Sequence, residues 1–117
     1  MRIVSLDHLV LTVRDLGATI AFYERLGMRH VVFDGHRHAL AFGSQKLNLH
    51  VAGREFEPKA AVPTPGSADL CFLVDELELD GLDVIEGPVE RTGATGTIRS
   101  VYVRDPDGNL VELSVPL

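Results

Sequence analysis

Residues 6–28 read LDHLVLTVRDLGATIAFYERLGM, and this stretch decides the fold. Its first part, Leu6 to Arg14, is rich in Leu and β-branched residues and reads as a strand. Alternation puts Leu9, Leu11 and Val13 on one face and His8, Val10 and Thr12 on the other. Asp15 then supplies an N-cap, and Leu16, Ile20, Tyr23 and Leu26 recur near the helical period until Gly27 stops the helix. Outward from there, 28–34 (MRHVVFD), 38–43 (HALAFG) and 46–51 (KLNLHV) read as three further strands, with turns at Gly35 and at Ser44-Gln45. The order is β-α-β-β-β within residues 1–51.

A segment without period follows, 52–67 (AGREFEPKAAVPTPGS), whose prolines and glycines mark a linker. Beyond it the plan repeats. Strands are expected at 68–74 (ADLCFLV), more weakly at 84–89, at 98–104 (IRSVYVR) and at 109–115 (NLVELSV), and Asp105-Pro106-Asp107-Gly108 forms a strong turn. Aligning LDHLVLTVRD with SADLCFLVDE matches His8 to Asp69, and aligning LNLHV with LVELS is read as matching His50 to Glu112. The chain therefore reads as one α+β domain of two βαβββ modules, 1–51 and 68–117. The second has at most a truncated helix, because Gly81 follows soon after Val74. Either that helix is short or residues are missing there.

The 117 residues, 45% of them hydrophobic, carry 11 basic and 17 acidic side chains for a net charge of −6. An acidic chain without a basic cluster is a poor partner for nucleic acid or anionic membrane. No apolar run approaches the roughly 20 residues of a spanning helix. The N-terminus lacks the features of a signal peptide, and cytoplasm is the expected location. The lone Cys71 precludes an intrachain disulfide and reads as a buried structural thiol.

Three polar residues do not suit their strands. Taken singly, His8 and His50 read as core or edge histidines, and Glu112 as an edge carboxylate. Together they share side-chain parity, each on the non-core face. Two imidazoles and a carboxylate converging there would make a facial triad for Fe(II), Mn(II), Ni(II) or Zn(II).

The motifs LDHLVLTVRDLGATIAFYERLGM, FGSQKLNLH and YVRDPDGNLVEL resemble the vicinal oxygen chelate superfamily, which includes glyoxalase I, extradiol dioxygenases and the fosfomycin and bleomycin resistance proteins. The match is strongest to small glyoxalase-domain proteins and spans nearly the whole chain. The resemblance implies paired βαβββ modules forming a cupped eight-stranded mixed sheet around one divalent ion (Ni, Zn, Mn or Fe). His8, His50 and Glu112 fall on ligand positions, and Asp69 takes a position that is His in bacterial glyoxalase I. Asp69 is either a fourth ligand or an orienting residue behind one. Tyr102 matches a substrate-contacting Tyr, and packing on a neighbouring strand is its alternative.

The implied chemistry is a glyoxalase-like lyase or isomerase reaction. The ion chelates vicinal oxygens of a small substrate, such as a thiol adduct, and stabilises an enediolate-type intermediate, with Glu112 as base. An extradiol-type dioxygenase, a thiol transferase and a metal-free drug-binding resistance protein are the alternatives. A second-shell His base is missing for the first, and the metal-ligand residues argue against the last. Among Arg54, Lys59, Arg91 and Arg99, the last two are candidates to meet a substrate carboxylate. The loop 86–97 is a candidate cover for the pocket. His36 and His38 read as a hairpin tip and His30 as an exposed strand residue. The resemblance further implies a homodimer.

Overall fold

A computed structural model describes all residues, Met1 to Leu117. The chain forms two compact units, Met1–Pro65 and Gly66–Leu117. The segment read as a linker thus belongs mostly to the first unit. No helix is long and apolar enough to cross a membrane.

In the first unit, β1 (His8–Val13) leads into α1 (Leu16–Arg25), followed by β2 (Arg29–Phe33), β3 (Arg37–Phe42) and β4 (Gln45–Val51). The sheet order is β1-β4-β3-β2, with β1 parallel to β4 and the other pairs antiparallel. Asp15 caps α1 as expected: its carboxylate accepts the Ala18 N–H at 3.0 Å. Gly27 ends the helix at a φ of +94°, where a side chain would be strained. The apolar parity of the strands meets α1. Leu11, Val13, Leu40, Leu47, Leu49 and Tyr23 are all buried, so the core lies on that face. The other face of β1 and β4 presents His8, Val10 and Thr12 beside Lys46, Asn48 and His50.

The second unit contains β5 (Asp69–Leu73), β6 (Glu86–Thr92), β7 (Thr97–Arg104) and β8 (Leu110–Pro116). Its order is β5-β8-β7-β6, and β5 runs parallel to β8. The eight expected strands are therefore present as two four-stranded mixed sheets. The expected second helix is absent altogether. Residues 75–83 carry five acidic side chains and no basic one, and Gly81 sits at a φ of +74°. A hydrogen bond shared with Glu78, and then the negative charges of Glu78 and Asp75, raise the Glu76 pKa. Leu77, Leu79, Leu82 and Val84 are half-buried between exposed neighbours, a spacing no helix face provides.

The loop expected at 86–97 is mostly strand, reduced to a short turn after β6. The 105–108 turn is held by the buried Asp105. Its Oδ1 accepts the N–H groups of Asp107 and Asn109, each at 2.9 Å, and its Oδ2 accepts the Asn109 side-chain amide at 2.8 Å. The Asn109 Oδ1 in turn accepts the Ala68 N–H at 2.8 Å, which ties the start of β8 to the start of β5.

Gly87 has a φ of +105°, and a Cβ there would collide with the Ser100 carbonyl oxygen on β7. Gly87→Ala should cost about 2 kcal/mol or more, against about 1 kcal/mol for Asp15→Ala at the helix cap. Urea unfolding of the two variants checks the order.

Candidate functional site

In the first unit His8 opens β1 with its side chain 44% exposed, and its Nδ1 lies 2.8 Å from Asp7 Oδ2. Donation from Nδ1 to that carboxylate leaves Nε2 as the lone-pair nitrogen, the arrangement that orients a ligating imidazole. His50, by contrast, is 3% exposed. The Arg37 guanidinium approaches its Nε2 at 3.5 Å, and the Phe56 ring meets it edge-on at 5.5 Å. Burial and, next, Arg37 lower the His50 pKa, with Glu55 opposing, so the imidazole is neutral near pH 7.

Register separates these two histidines. His8 pairs with Lys46 and His50 with Thr12, four residues farther along the same parallel ladder. That is about 13 Å along the strands, too far for two imidazoles to share an ion at about 2 Å each. The expected equivalence of His50 and Glu112 is also corrected. The second unit's ladder starts at Asp69–Leu110 and places Glu112 beside Cys71. By the same count in the first unit, Asn48 beside Val10 is the counterpart of Glu112, and His50 that of Ser114. The motif strings align without gaps in more than one register, and only strand pairing selects one. Asn48 is 5% exposed, and its Oδ1 has no hydrogen-bond partner.

In the second unit Glu112 is half-buried. Its Oε2 accepts the Ser100 hydroxyl at 2.5 Å and faces the Ser114 hydroxyl at 3.4 Å, and the two serines lie 2.7 Å apart. Asp69 lies two residues along the ladder, on the same face. Tyr102 stands directly across from Glu112 on β7, and its hydroxyl accepts the Arg91 Nε–H at 3.0 Å. Arg91 also donates to Glu86 at 2.9 Å, so Glu86 and Tyr102 set its direction. A hollow of about 600 Å³ opens here, lined by Glu112, Cys71, Arg91, Ile98, Leu117 and the 93–96 turn.

Several expectations change. Cys71 is exposed and lines the hollow. Partial desolvation, chiefly, raises its thiol pKa, so it is held as the neutral thiol. Arg99 pairs with Glu90 and Val115, on the parity opposite to Glu112 and Arg91, and so faces away from the hollow. Lys59 is paired with Glu57 at 2.9 Å. His30 is half-buried, not exposed, and bonds His38 between Nε2 and Nδ1 at 2.8 Å.

No three His, Cys, Asp or Glu side chains stand together as a metal-binding group. His8 in the first unit, and Asp69 with Glu112 in the second, are nitrogen and oxygen donors. In kind they fit a divalent first-row ion.

The sequence profile of the Glyoxalase/Bleomycin resistance protein/Dioxygenase superfamily matches residues 5–113. The chain belongs to this superfamily. It is 59% identical to the glyoxalase domain-containing protein RDO1 of Mycosarcoma maydis, over 94% of this chain and 67% of that one. It is 58% identical to virulence protein STM3117 of Salmonella typhimurium, over 97% of this chain and 85% of the relative. The crystal structure of STM3117 superposes over the full length of both chains with a TM-score of 0.95. The lactoylglutathione lyase of Agrobacterium tumefaciens is 26% identical, with a TM-score of 0.67 over 95% of this chain and 92% of its own.

Several residues on the two faces are ones that motif reading missed. Asn48 lies inside FGSQKLNLH without standing out there, and Ser100, Ser114, Arg37 and Phe56 lie outside the quoted motifs. Only the parity shared by Lys46, Asn48 and His50 hinted at the first of them.

The His50 environment has a measurable sign. Its pKa is lowered below the ordinary 6.5, so the stability it contributes is fully present above pH 6.5 and is lost as pH falls through the folded value. An NMR titration should place the His50 midpoint below 6.5, and Arg37→Gln should move it upward.

Proposed function

We propose that the chain is a divalent-metal-dependent enzyme of glyoxalase type, a lyase or isomerase acting on a small oxygenated molecule. One observation carries the reading: a half-buried carboxylate, Glu112, is held by two serine hydroxyls at the wall of a hollow of about 600 Å³. In the first unit His8, and in the second Asp69 with Glu112, are the candidate ligands for a divalent ion; His50, against Arg37, is assigned to the surroundings. When bound, the ion would supply Lewis-acid polarisation of neighbouring substrate oxygens.

The chain's own residues then have distinct tasks. Ser100 and Ser114 aim the Glu112 carboxylate, so that its other oxygen can act as a proton acceptor. Arg91, steered by Tyr102 and Glu86, offers positive charge at the hollow to an anionic portion of the substrate. Ile98, Leu73 and Leu117 line the hollow with apolar surface.

Protein purified without chelator should carry divalent metal, and His8→Ala and Glu112→Gln should each lower that content. Unchanged metal in both variants refutes the ligand assignment. A replacement series with Ni, Zn, Mn and Fe, assayed on methylglyoxal–thiol adducts, catechols and fosfomycin with thiol, reads the reaction. Turnover of the adduct should fall at least about 100-fold in Glu112→Gln. Catechol cleavage would reassign the protein as a dioxygenase, and fosfomycin opening as a thiol transferase. Stoichiometric drug binding without metal would make it a binding protein.

We also propose a homodimer. The exposed apolar run of Met1, Ile3, Val4 and Leu6 precedes β1, an edge strand of its sheet. Light scattering should give twice the chain mass; a fully active monomer refutes it.

A further inference from the structure

We propose that the first unit carries a recognition site for a small α-hydroxycarboxylate, built on Arg37 and Asn48. Arg37 is half-buried, and its guanidinium lies over the Phe33 ring at 5.0 Å and the Phe56 ring at 4.8 Å. Aromatic rings take the π faces of a guanidinium and leave its N–H groups at the edge of the fork. One of these meets His50 Nε2, at a long 3.5 Å. No carboxylate pairs with Arg37. The Glu55 carboxylate, which acts on the neighbouring His50, is turned to the Gly53 N–H at 2.9 Å. A partly desolvated cation held rigid with an unused fork suits a two-pronged anion.

The second observation is independent of the charge. Asn48 shares the face of His50, two residues before it on β4, and its buried Oδ1 has no partner. On β3 it is paired with Ala39, two residues from Arg37. Diagonal neighbours of this kind stand about 7–8 Å apart at their Cα atoms, a separation that the two side chains close around a ligand of two or three carbons. An amide oxygen needs a donor, which a carboxylate cannot supply. A hydroxyl on the adjacent carbon supplies it. Lys46, over the Phe33 ring at 3.9 Å on the same face, adds a second positive charge.

The assignment rests on the enzyme reading only for calling this ligand a substrate or part of one, since binding is measured without turnover or metal. NMR titrations of the labelled 117-residue chain would follow the Arg37 Nε–H and Asn48 amide signals with glycolate, acetate and inorganic phosphate. Glycolate should shift both signals and bind at least about fivefold more tightly than acetate. Arg37→Gln should weaken glycolate about tenfold or more. Arg37→Lys, which keeps charge and loses the fork, should also weaken it, and serves if Arg37→Gln does not fold. Asn48→Leu should retain acetate binding and lose the preference for glycolate. Wild-type affinity in the Arg37 variants, equal affinity for glycolate and acetate in the native chain, or tighter binding of phosphate would each overturn the site. Loss of metal binding in His8→Ala with glycolate binding intact would separate this site from the proposed metal centre.

Discussion

Everything functional in this chain depends on one constraint: in each unit the first strand is hydrogen-bonded parallel to the last. Because side chains alternate along a strand, the register of that ladder decides which face each polar residue takes. It decides equally which residues stand together. In the first unit the ladder puts Asn48 two rungs beyond His8, with His50 two rungs farther still. In the second it puts Glu112 two rungs beyond Asp69. A slip of one residue would send these groups into the core and bring Leu47, Leu49, Val111 and Leu113 out to solvent, so burial of those apolar chains holds the register in place.

The two units use this frame differently. In the second, polar groups are mutually satisfied: two serines share a proton network with Glu112, and Arg91 is anchored by Tyr102 and Glu86. Such a network fixes direction while leaving the hollow open. The first unit instead leaves groups unfinished. Arg37 has rings on its faces but no carboxylate, and Asn48 has a buried oxygen with nothing to accept. Unfinished polar groups cost stability, and natural chains keep few of them outside places where something binds. Phe56 matters for the same reason: it comes from the segment that looks like linker in sequence, yet it is half-buried against Arg37 and His50.

How much was legible varied with the kind of signal. Local chemistry was readable. The Asp15 cap, the Gly27 stop, the DPDG turn and the strand alternation all act within a few residues, and all eight strands were located. The second helix illustrates the limit. Its composition allowed two turns, but carboxylates are crowded there and Leu77, Leu79, Leu82 and Val84 share no helix face, so nothing helical forms. Cys71 and His30 were misplaced because exposure depends on what covers a strand, and no strand's own residues report that.

Sequence by itself determined the family, the two-part α+β plan and the parity of His8, Asp69 and Glu112, because strand period and turn chemistry are written in neighbouring residues. Tertiary structure alone decided that Asn48, and not His50, is the partner position to Glu112. Pairing joins residues some forty positions apart, and gapless motif strings can slide against each other with no local penalty. Hydrogen bonds across the ladder permit one register, and with it one set of neighbours.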